Sequence, residues 1–377
     1  MSVTLNARTL HRCLKRVNVL FPRMSSLPVL DHVLLSTEGD CDFVMRRTDL
    51  SAQVMGRIPC NEVSGTLDPV CVPADMLRRV IAGHKGDVEI GADVDNGVEL
   101  KIGSMRHVLY GRPVDEFPKY VDAGDMSVRY KHLIRTLRPV LVSMCPPCDS
   151  RVLLNAVLFD FNNVQVLSTD THRLHMNSLH PREQPSEAWG GRHVVPGDVC
   201  QNLGSVLGVK DNDPVCITIG EKKQLVSFSA PNWEVLTRLI EGTYPNPGKV
   251  IEGVMQTPGH WIVDPCELTG ALMGLSVIAR GNSDGVEFVA KGQKLILTTR
   301  SPVFGESECE VDLLEAGGIG EGMRTKFSYR YLRDAMQPLL GSKQIRISLK
   351  GKQDQAFVTA PENRDYMAVV MPMQIAE

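Results

Sequence analysis

The feature that most restricts how this chain can fold is a loose threefold repetition of its own markers. Leu10 and Leu14 lie in a basic stretch, residues 8–17, and Leu133 with Leu137, then Leu268 with Leu272, recur in like positions further along. Val72-Pro73-Ala74-Asp75-Met76-Leu77 is echoed by Val195-Pro196-Gly197-Asp198-Val199 and by Phe327-Ser328-Tyr329-Arg330-Tyr331-Leu332. Phe117-Pro118, Tyr244-Pro245 and Met371-Pro372 form a third, evenly spaced series. Three markers in one order in every third predict three copies of one module, at 1–124, 125–252 and 253–377.

Size agrees with that division. A chain of 377 residues exceeds what a single core usually serves, whereas three domains of about 125 residues fall at the commonest domain size. With 43% hydrophobic and 23% charged residues the composition is that of an ordinary soluble protein. No stretch approaches the roughly 20 uninterrupted apolar residues of a membrane span. The N-terminus lacks the apolar core and cleavage site of a secretory signal, which predicts a cytoplasmic protein with no membrane partner.

Within each third the hydrophobic period switches from 2 to 3–4, as from Val3 and Leu5 to Leu10, Cys13, Leu14 and Val17. Asn6 is a natural N-cap for the helix that follows. The run from Val29 to Leu35 reads as a strand and Phe43 to Val54 as a strand pair. A second helix opens at Pro73, a residue favoured in the first helical turn, with Met76, Leu77, Val80 and Ile81 on one face. The predicted order per module is β-α-β-β-β-α-β-β-β: an α+β fold with two helices packed on antiparallel sheet.

The formal charge of −3 argues against a generic nucleic-acid binder, but its distribution does not. Residues 1–30 hold Arg8, Arg12, Lys15, Arg16 and Arg23 with no acid, and 126–148 hold Arg129, Lys131, Arg135 and Arg138, again with no acid. A protein acidic overall can still offer one basic surface to phosphate. For one helix a solvated basic face is the simpler reading. Two acid-free helices at matching repeat positions favour a shared anionic ligand. The third module departs from this, since Asp264 and Glu267 precede a helix whose nearby base is Arg280. The second helices are mixed, with Arg78 and Arg79 after Asp75 and Asp198 in the next.

These residues together resemble a known family, the bacterial sliding clamp (the beta subunit of DNA polymerase III). The resemblance runs the length of the chain through segments 25–35, 48–50, 72–77, 115–119, 153–160, 168–174, 238–245, 331–335 and 369–373. It implies three clamp domains per chain and a ring formed by a head-to-tail homodimer. Such a ring encircles duplex DNA without reading sequence and tethers DNA polymerase, the clamp loader and other clamp-binding peptides. It implies no enzymatic activity, no cofactor and no metal. DNA would face Arg8, Arg12, Lys15, Arg16, Arg23, Arg79, Lys131, Arg135 and Arg138. The partner-peptide pocket would use Arg151, Leu154, Thr169, His172, Arg173, Leu174, Pro245, Val250, Val369, Met371, Pro372 and Met373. Methionines there suit a surface that takes several partners. The subunit interface would involve His107 and Leu109 against Val277 and Ile278.

The chain departs from the family at named places. Thr171 stands where Gly is common, Met24-Ser25-Ser26-Leu27-Pro28 where Arg-Pro-Thr-Leu-Pro is usual, and Val152-Leu153 where an aromatic pair often follows the arginine. His107 replaces an aromatic, which implies a weaker or pH-sensitive dimer.

Two other function classes compete. One is a clamp-fold protein that binds partner peptides without encircling DNA. The other is a thiol oxidoreductase using Cys145 and Cys148. That Cys-Pro-Pro-Cys motif leads into Asp149-Ser150-Arg151, which reads as a loop rather than the helix N-terminus that thioredoxin chemistry needs, and no second pair completes a zinc site. No phosphate loop of Walker type and no nucleophile-base arrangement at diagnostic spacing is present.

Overall fold

The computed structural model describes every residue except 22–24, 26, 40–41, 93–95, 125–126, 148–149, 183–189, 221–223, 249, 252–258, 281–283, 321 and 376–377. Its contacts divide into two compact units. The first comprises Met1–Arg135, His180–Ala188 and Asp198–Ile240; the second comprises Thr136–Leu179, Trp189–Gly197 and Glu241–Glu377.

The repeat markers occupy equivalent places. The leucine pairs lie on the first helix of each third: α1 (Ala7–Asn18), α3 (Leu133–Leu141) and α5 (Pro265–Ala279). All six leucines are buried, as the spacing of 3 to 4 requires of a helix face turned to a core. Asn6 caps α1, its side-chain oxygen accepting from the amides of Arg8 and Thr9 at 3.1 and 3.3 Å. Asp264 does the same for α5, accepting from Cys266 and Glu267 at 2.7 and 3.0 Å. The acid that breaks the basic pattern of the third module is thus a cap, favoured at the positive end of the helix.

The second series marks a strand-to-helix junction. Strands Val70–Pro73, Arg192–Pro196 and Arg324–Ser328 run into α2 (Ala74–Ile81), α4 (Gly197–Leu207) and α6 (Tyr329–Met336). The predicted order is corrected here, because each module has at least one more strand before its second helix. Four residues of continuous apolar character carry no alternation, so period alone does not reveal such a strand. Pro73 is the residue before the helix rather than its first residue.

In unit 1 a five-stranded antiparallel sheet orders Val63–Gly65, Ser2–Asn6, Asp87–Ala92, Val98–Ile102 and Met105–Leu109. An eight-stranded sheet combines strands of the first two thirds: Trp233–Arg238 lies against Ala52–Ile58, with Trp233 opposite Gly56 and Thr237 opposite Ala52. A Cβ on Gly56 would stand 2.5 Å from the Trp233 ring, so the indole can lie there only over a glycine. Unit 2 repeats the device. Its nine-stranded sheet sets Asn363–Val370 against Arg173–Ser178, with Val370 opposite Arg173 and Val369 opposite Leu174. Its four-stranded sheet, Gly305–Asp312, Lys294–Ser301, Gly285–Lys291 and Arg324–Ser328, packs with α5 and α6 over Trp261, Phe288 and Phe327.

Candidate partner pocket and basic helices

The residues expected to hold a partner peptide fall on one stretch of unit 2. The tight turn between strands Gln165–Thr169 and Arg173–Ser178 organises them. Thr169 Oγ1 donates to the carbonyl of Arg173 at 2.6 Å and accepts from the Thr171 amide at 3.1 Å. Asp170 Oδ1 accepts from the amides of His172 and Arg173, both at 2.9 Å. These bonds hold Thr171 at φ +77°, a left-handed conformation unfavourable for a β-branched residue. That explains why glycine suits the position.

Alternation then sorts the side chains of strand Arg173–Ser178. Arg173 and His175 share one face. The Arg173 guanidinium donates to Asp170 at 3.0 Å and to Asp334 at 2.7 Å, and it lies 4.5 Å from the Tyr331 ring centre. His172 stacks on the same tyrosine. His175 is fully buried; its Nδ1–H donates to the Pro139 carbonyl at 2.9 Å, and the Tyr366 hydroxyl lies 3.1 Å from the same nitrogen. Burial pushes its pKa down to about 4, with the Pro139 carbonyl as the leading opposing influence.

The opposite face carries Leu174, Val369 and Phe357, joined across three strands and buried. Leu154 is buried as well. Of the other expected residues, those with the exposure of a rim are Arg151, His172, Pro245 and Met371, while Arg173, Val250, Pro372 and Met373 are half-buried. The main chain ties the rim down: the Met371 amide donates to His172 at 2.8 Å and the Met373 amide to Lys326 at 2.7 Å. Arg151 lies 3.4 Å from the Thr171 hydroxyl. Tyr244 is buried, and its hydroxyl accepts from the Thr169 amide at 3.2 Å. Tyr244, Tyr331, Asp170 and Asp334 were not among the expected site residues. The first belongs to the Tyr-Pro marker, and Asp170 is adjacent to Thr169, so both had a local signal; Asp334 and Tyr331 reach Arg173 only through the fold.

Cys145 is buried behind this site, its amide donating to Leu154 at 2.9 Å. Cys148 lies outside the described residues. Among the described residues no group of three or more His, Cys, Asp or Glu side chains could hold a metal ion.

The basic residues separate into two sets. Arg8, Arg12, Lys15, Lys131, Arg135 and Arg138 are exposed on or beside α1 and α3. Arg16 is half-buried, its guanidinium 5.2 Å from the Trp233 ring centre, where cation–π attraction holds it against protein. Arg79 is paired with Asp75 at 2.7 Å, an aspartate that also takes Arg78 at 2.6 Å. Arg23 lies outside the described residues. α1 and α2 bring their cations together in unit 1: His11 on α1 has a lowered pKa, first through burial and then through Lys15 and Arg78.

His107 and Leu109, half-buried, lie on Met105–Leu109, which has one partner strand among the described residues and so ends its sheet. Val277 on α5 is 70% exposed, with half-buried Ile278 beside it.

The family model of the DNA polymerase III beta subunit central domain matches residues 127–246, and that of the C-terminal domain matches 257–374. The beta sliding clamp of Pseudomonas aeruginosa is 27% identical over the whole of both chains, and that of Bacillus subtilis is 24% identical over 73% of this chain and 72% of its own. Among solved structures, the Bacillus subtilis sliding clamp superposes with a TM-score of 0.90 at 20% identity, and the Pseudomonas aeruginosa clamp bound to griselimycin with 0.88 at 24%, each over the full length of both chains. With the fold shared throughout and two family domains matched in order, this chain belongs to the bacterial DNA polymerase III beta subunit family, the beta sliding clamps.

Proposed function

We propose that this chain is a DNA sliding clamp: a non-catalytic ring of two copies, head to tail, that surrounds duplex DNA and tethers the polymerase, the clamp loader and other partners by short peptides. The observation that carries this reading is the way the eight-stranded and nine-stranded sheets cross from one module to the next. Counted from the hairpin turns on either side, Trp233 meets Gly56 and Thr237 meets Ala52. The same count, corrected for the irregularity between Val358 and Ala360, brings Val370 to Arg173. In the other two sheets, the strands at the corresponding places, Met105–Leu109 of the first module and Gly305–Asp312 of the third, each have one partner strand among the described residues.

Applied to them, the shared register sets Leu109 of one copy opposite Gly305 of the other, Met105 opposite Cys309 and Arg106 opposite Glu308. The acid-rich strand, with Glu306, Glu308 and Glu310 exposed, suits that arginine. Open edges of this kind invite pairing, and heterologous, head-to-tail use of both gives a closed ring of six modules. Exposed bases on α1 and α3 then serve phosphate contacts that need no base readout and weaken with salt. The apolar floor of Leu174, Val369 and Phe357 under the Met371 and Pro245 rim supports peptide binding. Anchors there contribute about 1.5–3 kcal/mol each, enough in pairs for an exchangeable, micromolar grip.

Loading onto nicked circular DNA tests the reading. A clamp stays on the circle at high salt and leaves when the circle is cut; equal loss from circular and linear DNA contradicts it.

A further inference from the structure

The turn that organises the partner pocket of unit 2 occurs a second time, in unit 1, with its hydrogen bonds reproduced. Thr48 Oγ1 donates to the Ala52 carbonyl at 2.8 Å and accepts from the Leu50 amide at 3.0 Å, as Thr169 does for Arg173 and Thr171. Asp49 Oδ1 accepts from the amides of Ser51 and Ala52 at 3.0 and 2.8 Å, as Asp170 does for His172 and Arg173. Leu50 stands at φ +77°, the value found at Thr171. The incoming strand is tied in the same manner, the Arg238 amide donating to Ser51 at 2.9 Å where the Met371 amide donates to His172 at 2.8 Å.

Beside this second turn lies a cavity of about 230 Å³, lined by Leu50, Ser51, Gln53, Val121, Leu225, Leu236 and Arg238. Leu225 and Leu236 form a buried apolar floor with Ala123. Leu50 and Val121 are apolar walls open to solvent, 50% and 38% exposed. A leucine kept half exposed in a left-handed conformation is costly on both counts. Position by position, Leu236 takes the place of Val369 and Arg238 that of Met371, while Gln53 replaces Leu174. Arg238 is the charged side chain of the lining, and its Nε–H donates to the Leu50 carbonyl at 3.2 Å, which turns the guanidinium along the rim.

We propose that this cavity is a second peptide-docking site, taking one aliphatic side chain of an extended acidic peptide whose carboxylate pairs with Arg238. It rests on the peptide-binding reading of the unit 2 pocket, of which it is the repeat. Its size fits a leucine-type anchor and little more, so its grip is weaker than that of the longer unit 2 floor.

The test uses the full chain with 13C-methyl labels on Leu and Val, titrated with the peptide acetyl-Gly-Leu-Asp-Leu-Gly-amide. Methyl shifts at Leu50, Val121, Leu225 and Leu236, weakened roughly tenfold by Leu50→Asn or Val121→Glu, are the expected result; the asparagine tolerates the left-handed backbone. Leu50 and Val121 methyls that stay still at millimolar peptide overturn the proposal, whatever happens elsewhere. Leu174 and Val369 report separately: their silence while the unit 1 methyls move would instead count against the unit 2 pocket.

Discussion

The turns Thr48–Ala52 and Thr169–Arg173 share a backbone and differ in what they hold. In unit 1 the last residue of the turn is Ala52, and the strand continues through buried Val54. In unit 2 the corresponding residues are Arg173 and His175. Arg173 is clasped by Asp170 and Asp334 under Tyr331, and His175 reaches the main chain at Pro139. A frame of side chain to amide bonds can therefore be copied intact while the polar network hung on it is added or dropped. The addition makes unit 2 more specified and more vulnerable, because a buried ionic network is worth most when complete.

That vulnerability gives the largest expected contrast. Asp170→Ala removes the acceptor of two amides and one of the two carboxylate partners of Arg173, and should cost unit 2 roughly 3–5 kcal/mol. Asp49→Ala, which frees amides nearer solvent, should cost about 1 kcal/mol. Chemical denaturation of the two variants measures both, and equal losses would remove the distinction.

Acid comes next. His175 is depressed to about 4, so the unfolded chain binds its proton first as pH falls. Its contribution to stability is complete above the ordinary imidazole value of about 6.5 and is lost between there and pH 4, up to about 3 kcal/mol. Unit 1 has the non-titrating Val54 at that place. Hydrogen exchange at pH 7 and pH 4.5 should open strand Arg173–Ser178 more than strand Ala52–Ile58, and His175→Gln should flatten the response.

The smallest effect concerns backbone strain. Thr171→Gly and Leu50→Gly each relieve a positive φ, offset partly by the greater freedom of glycine in the unfolded chain, so each should stabilise by roughly 1 kcal/mol. Thermal melts that fall for either variant would mean that the side chain, not the backbone, decides that position.

Much of this was legible in the residues. The six helix leucines, the Asn6 cap and the recurring start of the second helix follow from spacing and from side chains that act on their own neighbours. Thr48-Asp49 and Thr169-Asp170 were also visible, and read against each other they mark the duplicated turn. What escaped was non-local: the strand Val70–Pro73, defined by pairing with His32–Glu38 rather than by alternation, the pull of Trp233 on Arg16, and the approach of Asp334 and Tyr331 to Arg173. None of these has a signature within ten residues of itself, since each is made by a fold that brings distant segments together.

Sedimentation of the full chain at micromolar concentration bears most directly on closure through the two open strand edges. Head-to-tail pairing gives twice the chain mass of 41.6 kDa, with Arg106→Glu weakening the dimer about tenfold and the added Glu308→Arg restoring it. A 41.6 kDa species throughout, or a dimer indifferent to both substitutions, would contradict it.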